Sequence, residues 1–301
     1  MNWFFIALIG PILWSLCVHV DKYIISKFFV GRGVGSLMIF TSISGFIISF
    51  FVFIFHHEYI FIKPTNAIII AISGAILVAA FIPYLHALQD EEASWVTVLY
   101  QLIPVFGYFL GLIFLNEKLT LLQILASLLV ITGAVLISLD YSQNIKIKIK
   151  PLLLMLLSSF MLAVTGLMFK IVAIDETYWG SVFWEYIGGG IFGFLLLFIP
   201  LYRQQFFAVI KRNAKAVILI NVTSELVSLI GRLAVNFASL LAPLVLVMLV
   251  NGLQPLIVFI YGVIITLFLP TLGKESLTKR IIAQKLLSII IMFTGVYLLF
   301  K

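Results

Sequence analysis

The segment Ala93–Leu139 decides the fold, and it reads ASWVTVLYQLIPVFGYFLGLIFLNEKLTLLQILASLLVITGAVLISL. Two apolar runs, Trp95–Leu115 and Leu119–Leu139, are separated only by Asn116-Glu117-Lys118. A helix of about 20 apolar residues crosses a hydrocarbon core of roughly 30 Å. Because the linker is too short to form a domain, the segment predicts two membrane helices joined by a tight turn.

Composition extends this prediction to the whole chain. Of 301 residues, 63% are hydrophobic and 10% are charged, whereas about 25% are charged in a soluble domain. We therefore expect an all-α polytopic membrane protein surrounded by the lipid bilayer. The net charge of +7 is then attributed to basic loops that set membrane topology, and no nucleic-acid partner is expected.

Apolar runs predict ten transmembrane helices with short loops between them. The N-terminal run has no basic leader and no small-residue cleavage site, so it is interpreted as an uncleaved first helix. The ten helices are expected at 3–24, 36–56, 66–88, 94–115, 119–139, 151–174, 179–200, 215–236, 242–268 and 281–300.

Short matches recur in the same order in both halves of the chain. They include Lys22 with Lys170, Pro104 with Pro255, and Glu117 with Glu275, at offsets that rise from 148 to 158 residues. This pattern predicts a five-helix repeat at 1–143, a basic linker at 144–150 and a second repeat at 151–301. Because five is odd, the repeats enter the membrane in opposite senses, as in many secondary transporters.

The distribution of basic residues predicts an orientation. Fourteen of the 19 Lys and Arg residues lie in or beside the loops that follow odd-numbered helices. The positive-inside rule makes those loops cytoplasmic and places both termini outside. We expect a multi-pass protein of a bacterial inner (plasma) membrane.

Ionisable residues inside the predicted helices are the first site candidates, because such residues are costly in a bilayer. Glu225 and Arg232 lie seven residues apart in helix 8, which places both on nearly one helix face. Asn236 extends this face. The row is interpreted either as the wall of an aqueous cavity that binds substrate or as a structural network tying helix 8 to a neighbour.

Three further charged residues have two open interpretations each. Glu185 is either a buried carboxylate that couples transport to protons, as Glu225 is expected to be, or a solvated group at a helix end beside interfacial aromatics. Lys22 and Lys170 either bind an anionic substrate across the repeat axis or extend to the membrane surface. Glu117 is expected to support the N-terminus of helix 5 through the helix dipole, with coupling as the alternative.

Polar and aromatic residues near helix ends and prolines complete the candidate cavity. Pro104 and Pro255 each leave a backbone carbonyl without its helical donor, so neighbouring side chains can meet a substrate there. These further substrate-binding candidates are Trp14, Tyr84, Gln101, Tyr108, Asn251 and Gln254.

The sequence offers no pattern for enzyme chemistry. It has no phosphate-binding loop, no triad of nucleophile, base and acid, and no helical spacing of histidines that would hold a metal. Cys17 is the single cysteine, so an intrachain disulfide or a thiolate metal site is excluded. We expect no cofactor, no metal and no catalytic residue.

The hairpin and its weaker second copy resemble the EamA-like family of the drug/metabolite transporter superfamily. The motif residues are Trp14-Ser15, Tyr84, Ala87, Pro104, Phe114–Thr120, Gln123 and Gly133, with Pro255, Glu275–Thr278 and Thr294-Gly295 in the second copy. The resemblance implies a monomer of two five-helix bundles that moves small metabolites or drugs through a central cavity. It also implies cytoplasmic termini, against the charge distribution, and the second copy departs from the pattern by the insertion LFLPTLGKES at 267–276.

These observations together predict a secondary transporter that exports a small molecule by alternating access. Coupling is expected to protons or to the gradient of the substrate itself. The alternative is a flippase or accessory protein for a lipid-linked headgroup, and a membrane enzyme or sensor is a third class. Metabolite export, amino-acid export and multidrug efflux are not separated by the sequence.

Overall fold

The computed structural model describes residues 2–28, 35–90, 99–138, 149–268 and 279–299. The backbone of these residues is almost entirely helical, which satisfies its polar groups without water, as a bilayer requires. The helices are α1 Asn2–Phe28, α2 Gly35–His56, α3 Pro64–Asp90, α4 Leu102–Phe114, α5 Leu121–Ser138, α6 Ile149–Asp175, α7 Tyr178–Leu196, α8 Pro200–Leu241, α9 Leu244–Asn251, α10 Gln254–Phe268 and α11 Lys279–Leu299.

Six described segments are long and apolar enough to cross a membrane. A seventh results if α7 and the first turns of α8, which meet at a bend of 96°, form one broken span. The described apolar parts of α4, α5 and α11 are shorter. The chain is therefore an integral multi-pass membrane protein, while ten spans and an inverted repeat stay predictions. The six segments are Asn2–Val20, Met38–Tyr59, Pro64–Ala87, Ile149–Asp175, Val222–Leu241 and Leu244–Phe268.

Helix 4 was expected at 94–115, but Tyr100 and Gln101 form a turn before α4, so Pro104 lies in the first turn of a helix. Two other predicted helix boundaries are also wrong. Helix 8 was expected at 215–236 after a loop, but α8 runs without interruption for 42 residues from Pro200 to Leu241. At about 1.5 Å per residue, this helix is longer than the bilayer core is thick. Basic residues end an apolar run, but they do not end a helix, so the unbroken candidate span of α8, Val222–Leu241, is much shorter than the helix.

The second error concerns the predicted helix 242–268, which the structure divides into α9 and α10. Gly252 and Leu253 form the break. Pro255 lacks a backbone N–H, so the regular hydrogen-bond ladder cannot pass through this point. Both pieces lie within the 25-residue span Leu244–Phe268, so the break lies inside a membrane-spanning segment.

Helix packing occurs mainly between the two halves of the sequence. The most extensive contacts join α5 to α11, α1 to α8, α3 to both α6 and α7, and α2 to α7. Contacts between helices of one half are much fewer. The halves therefore interdigitate, and the described helices do not form the two separate bundles that the resemblance implied.

The outer surface of the described helices is rich in large apolar side chains. Phe50, Phe55 and Phe114 are exposed by 60%, 71% and 62%. Exposed rings at this density are expected where lipid rather than water covers a helix. The interhelical contacts are formed by buried apolar side chains such as Ile70, Phe169 and Met292, together with small residues and the few polar groups described next.

Candidate functional site

The centre of the candidate site is the carboxylate of Glu185, which is buried between α7 and α8. Arg232 Nη2 donates to Glu185 Oε1 over 2.8 Å, and Asn236 Nδ2 donates to Glu185 Oε2 over 3.3 Å. Glu185 is only 1% exposed. The alternative that placed it in solvent at a helix end is therefore wrong, and three predicted site residues form one network.

Arg232 is incompletely partnered within this network. Its Nε atom is buried and has no hydrogen-bond partner among the described residues, while 19% of its side chain remains exposed. A buried N–H without an acceptor costs about 1–3 kcal/mol. Tyr178 and Tyr186 of α7 lie within electrostatic reach of the guanidinium, and the Tyr178 hydroxyl donates to the Leu233 carbonyl over 2.7 Å.

Close packing of α3 against α7 fixes the position of Glu185. A Cβ atom on Gly74 would overlap the carbonyl oxygen of Glu185, and one on Gly188 would overlap the carbonyl of Ala71. Only glycine permits this approach of two backbones. The carboxylate therefore stands on a segment of α7 that cannot shift without separating α3 from α7.

Glu225 lies on the same helix as Arg232 but has a different kind of partner. The Thr41 hydroxyl of α2 donates to Glu225 Oε1 over 2.5 Å. Glu225 and Arg232 thus contact different helices, α2 for Glu225 and α7 for Arg232. The structure therefore contains the polar residues expected along α8, but Glu225 and Arg232 are hydrogen-bonded to different helices.

A second buried ion pair joins the two halves of the chain. Lys170 Nζ of α6 donates to Glu117 Oε1 over 2.5 Å and to the Ala242 carbonyl over 2.6 Å. Glu117 Oε2 accepts the backbone N–H of Leu244, the first residue of α9, over 2.7 Å. The exposed fractions of the two charged side chains are 7% and 14%, so backbone groups satisfy the charges where water is scarce.

This arrangement changes the expected roles of Glu117 and Lys170. Glu117 was expected to favour the N-terminus of helix 5, but its carboxylate instead contacts the N-terminus of α9 in the other half. The preceding residue, Asn116, has a φ of 52°, a left-handed conformation that asparagine tolerates in a tight turn. Lys170 is engaged by Glu117, so it does not present a free ammonium group in this conformation.

Three further predicted residues lie in or beside the break between α9 and α10. Gln101, at the start of α4, is 5% exposed, and its Oε1 atom has no partner among the described residues. The Oδ1 atom of Asn251 is likewise buried without a partner in that part of the chain. The carbonyl of Gln254 accepts the Ser15 hydroxyl of α1 over 3.3 Å.

The remaining predicted residues lie apart from these groups. Trp14 Nε1 donates to the Ser228 carbonyl over 3.0 Å, which joins α1 to α8. Tyr84 packs against Tyr100 with ring centroids 5.2 Å apart, and Tyr108 packs against the cluster around Val245 and Leu246. The side chain of Lys22 and all of Glu275 lie outside the described residues.

Sequence reasoning missed the partners rather than the charged residues themselves. Thr41 is one hydroxyl among several in an apolar helix, and no periodicity separates it from its neighbours. The carbonyl of Ala242 and the N–H of Leu244 carry no side-chain signal at all. Pro243 directly precedes Leu244, the first residue of α9. This proline was the one sign in the sequence of a helix N-terminus at that point.

These features define an α-helical multi-pass membrane protein with buried ion pairs between its helices. No group of three or more His, Cys, Asp or Glu that could hold a metal is found among the described residues. Charges of this kind inside a membrane protein are characteristic of sites that bind or move a polar substrate.

The model of the EamA-like transporter family matches residues 1–139. This match to somewhat less than half of the chain agrees with the resemblance to the drug/metabolite transporter superfamily, and it suggests a membrane transporter of that type. A protein of known crystal structure shares 12% sequence identity and superposes with a TM-score of 0.65 over 99% of this chain and 96% of its own. At that identity the likeness concerns the fold alone. No curated protein matches the chain.

Proposed function

We propose that the protein is a secondary transporter that exports a small metabolite or drug by alternating access. The observation that carries the proposal is the buried Glu185–Arg232–Asn236 network, held between membrane helices with one guanidinium N–H unpartnered. A pair that served stability alone would be replaceable by apolar residues at little or no cost. An intramembrane charge with incomplete partners is instead typical of a substrate or coupling site.

Reciprocal helix contacts support the inverted repeat that this mechanism uses. If α1, α2, α3 and α5 correspond to α6, α7, α8 and α11, then the contact of α1 with α8 has the contact of α6 with α3 as its equivalent. The contacts of α2 with α7 and of α5 with α11 are their own equivalents, and all four contacts are extensive. Two related halves that interdigitate in this way can exchange two conformations around a central axis.

The Lys170–Glu117 pair is proposed to close one face of the transporter. Lys170 lies five residues before the end of α6, and Glu117 lies in the turn between α4 and α5, so both are near one membrane surface. The pair also holds the N-terminus of α9. Opening this face would require the ammonium group to leave Glu117, Ala242 or both.

Arg232 favours substrates with a carboxylate or another anionic group. A guanidinium binds such groups through paired N–H donors. Substrate binding would compete with Glu185 for Arg232, and a proton on Glu185 would compensate for the lost ion pair. Glu225 is the second proposed proton carrier, because its contact is a hydroxyl rather than a cation.

The proposal is tested by counterflow in proteoliposomes with radiolabelled amino acids, carboxylic acids and a lipophilic cationic drug. Arg232→Ala and Glu185→Gln are expected to lower the initial rate for the transported compound at least about tenfold, equivalent to roughly 1.4 kcal/mol. Glu225→Gln is expected to alter the response of the rate to a pH gradient. Arg203→Gln is the control for loss of a positive charge, because Arg203 lies on the same helix but outside the segment Val222–Leu241 that carries Arg232.

Unchanged rates in Arg232→Ala and Glu185→Gln would exclude the assigned site. Absence of counterflow for every compound would favour the second candidate, a flippase for a lipid-linked headgroup. One observation supports that alternative: a surface pocket of about 310 Å³ near the start of α8 is lined by Arg203, Gln204, Phe207, Ala208 and Lys211. Two cations beside apolar side chains suit an anionic lipid headgroup. Scrambling of a fluorescent anionic lipid by the proteoliposomes measures this activity directly.

A further inference from the structure

We propose that the break between α9 and α10 is a binding site for a small cation, supplied either as Na⁺ or as the ammonium group of the substrate. This site is distinct from the Glu185–Arg232–Asn236 network. The link between such a cation and transport rests on the function proposed above, but the site itself rests on oxygen atoms that belong to the break or lie beside it.

The first two oxygens belong to side chains. Gln101 Oε1 and Asn251 Oδ1 are both buried, and neither has a hydrogen-bond partner among the described residues. Gln101 is only 5% exposed. Its Oε1 atom lies 3.0 Å from the position that a Cβ on Gly252 would occupy. Glycine at this position therefore lets the amide oxygen approach the backbone of the break directly.

Two more oxygens belong to the backbone of the break. The carbonyl of Asn251 would accept from residue 255 in a continuous helix, but Pro255 has no N–H. The carbonyl of Gly252 would accept from Leu256, but the Leu256 N–H donates to Leu253 over 3.1 Å. The tighter helical bond, in which the N–H of residue 255 would donate to the Gly252 carbonyl, is also absent because residue 255 is proline. Two successive carbonyls thus lack their regular helical donors beside two unpartnered amide oxygens.

The charge distribution of the helices favours a cation at these oxygens. The C-terminus of α9 carries a partial negative charge from its aligned peptide dipoles. Burying an acceptor oxygen without a donor costs free energy, which a cation or a protonated amine would recover. Interrupted membrane helices coordinate Na⁺ in transporters through carbonyls of this kind. An anion is disfavoured beside these acceptor oxygens.

The test is equilibrium binding of ²²Na⁺ to the purified protein in detergent, with choline chloride holding the ionic strength constant. Saturable binding is expected in the unmodified chain, and Gln101→Leu and Asn251→Leu are expected to weaken it at least about tenfold. Gln123→Leu is the matched control, because the Gln123 Oε1 atom already accepts the Thr120 N–H. All variants are first compared by melting temperature in choline chloride, so that misfolded protein is recognised.

A second arm separates the two sources of the cation. Ethylammonium is added in place of Na⁺, and the rise in melting temperature is measured, because a ligand that binds only the folded state raises it. A rise in the unmodified protein that both leucine variants lose, without ²²Na⁺ binding, assigns the site to a substrate ammonium group. Absence of both effects in the unmodified protein overturns the proposal.

Gln101→Glu provides an independent check of the chemistry. Glutamate keeps the size of glutamine and places an oxygen at both terminal positions, so cation affinity is expected to rise or stay unchanged. A loss of affinity together with a lower melting temperature would show that the amide nitrogen faces the break, and would overturn the proposal. Counterflow without cation binding would exclude this site alone, and cation binding without counterflow would exclude only the proposed transport.

Discussion

The two buried ion pairs differ in how completely their charges are partnered. Lys170 and Glu117 join the two halves of the chain, and backbone groups of Ala242 and Leu244 occupy further hydrogen-bonding positions. Arg232 and Glu185 both come from the second half. Their network leaves Arg232 Nε buried without a partner among the described residues, and the arginine is partly exposed.

This difference separates a closing contact from a binding contact. A pair in which each charged group also bonds to the backbone gains less from a ligand and resists rearrangement until the helices move. A pair with an unused donor gains a hydrogen bond when an acceptor arrives. The Lys170–Glu117 pair therefore suits a gate, and the Glu185–Arg232 pair suits a binding site.

The largest predicted effect is the loss of stability in Lys170→Met. Removing one partner of a buried pair leaves the other charge uncompensated and costs about 3–5 kcal/mol. Arg232→Met is expected to cost about 1–3 kcal/mol less, because it also removes an unpartnered donor. The free energy of unfolding is measured by denaturant titration in micelles, with fluorescence of the five tryptophans as the signal.

Lys63→Met is the matched control for this prediction. Lys63 forms an ion pair with Asp175 over 3.3 Å, but 65% and 59% of the two side chains are exposed. An exposed pair contributes about 0–1 kcal/mol. If Arg232→Met destabilised the protein as much as Lys170→Met, the two pairs would not differ as described.

Gly74→Ala sharpens the comparison without changing any charge. The added methyl group would collide with the Glu185 carbonyl, so α3 and α7 must separate, at a cost of about 1–3 kcal/mol. The same variant is expected to lower counterflow, because it displaces the Glu185 carboxylate from Arg232. Unfolding and counterflow are measured on the same preparation.

Gly166→Ala on α6 serves as the control for Gly74→Ala. Its methyl group would approach the Met248 Cε atom to 2.7 Å, and the end of a methionine side chain can move aside. Alanine also gains about 1 kcal/mol of helix propensity over glycine. Stability close to that of the unmodified protein is expected, and equal losses in both variants would remove the special role of the α3–α7 contact.

The fold was largely predictable because a bilayer imposes simple rules on sequence. Long apolar runs such as Ile149–Asp175 indicate membrane helices whatever their partners are. The boundary of α8 was not predictable in this way, since hydropathy detects where an apolar run ends, whereas the helix also includes basic residues such as Arg203 and Lys211. The break at Gly252 was missed because apolar residues continue on both sides of it.

The charged residues of the site were predictable, but their pairing was not. The cost of a charge in a membrane selects Glu185, Glu225 and Arg232 from sequence alone. Which of them pairs with which depends on the packing of α2, α7 and α8, and this information is spread over many apolar residues. Seven-residue spacing placed Glu225 and Arg232 on one face, although their partners lie on different helices.

The smallest predicted effect tests whether Glu225 is a third kind of buried charge. Thr41→Val keeps the shape of the side chain but removes the hydroxyl that donates to Glu225 Oε1, and is expected to lower the free energy of unfolding by about 1 kcal/mol. Thr41→Ser retains the hydroxyl and should restore most of this loss, so the difference between the variants isolates the hydrogen bond. A loss in Thr41→Val as large as that in Lys170→Met would mean that Glu225 depends on Thr41 as strongly as Glu117 depends on its cation. Glu225 would then act as a fixed structural anion, and the proton would have to be carried by Glu185 alone.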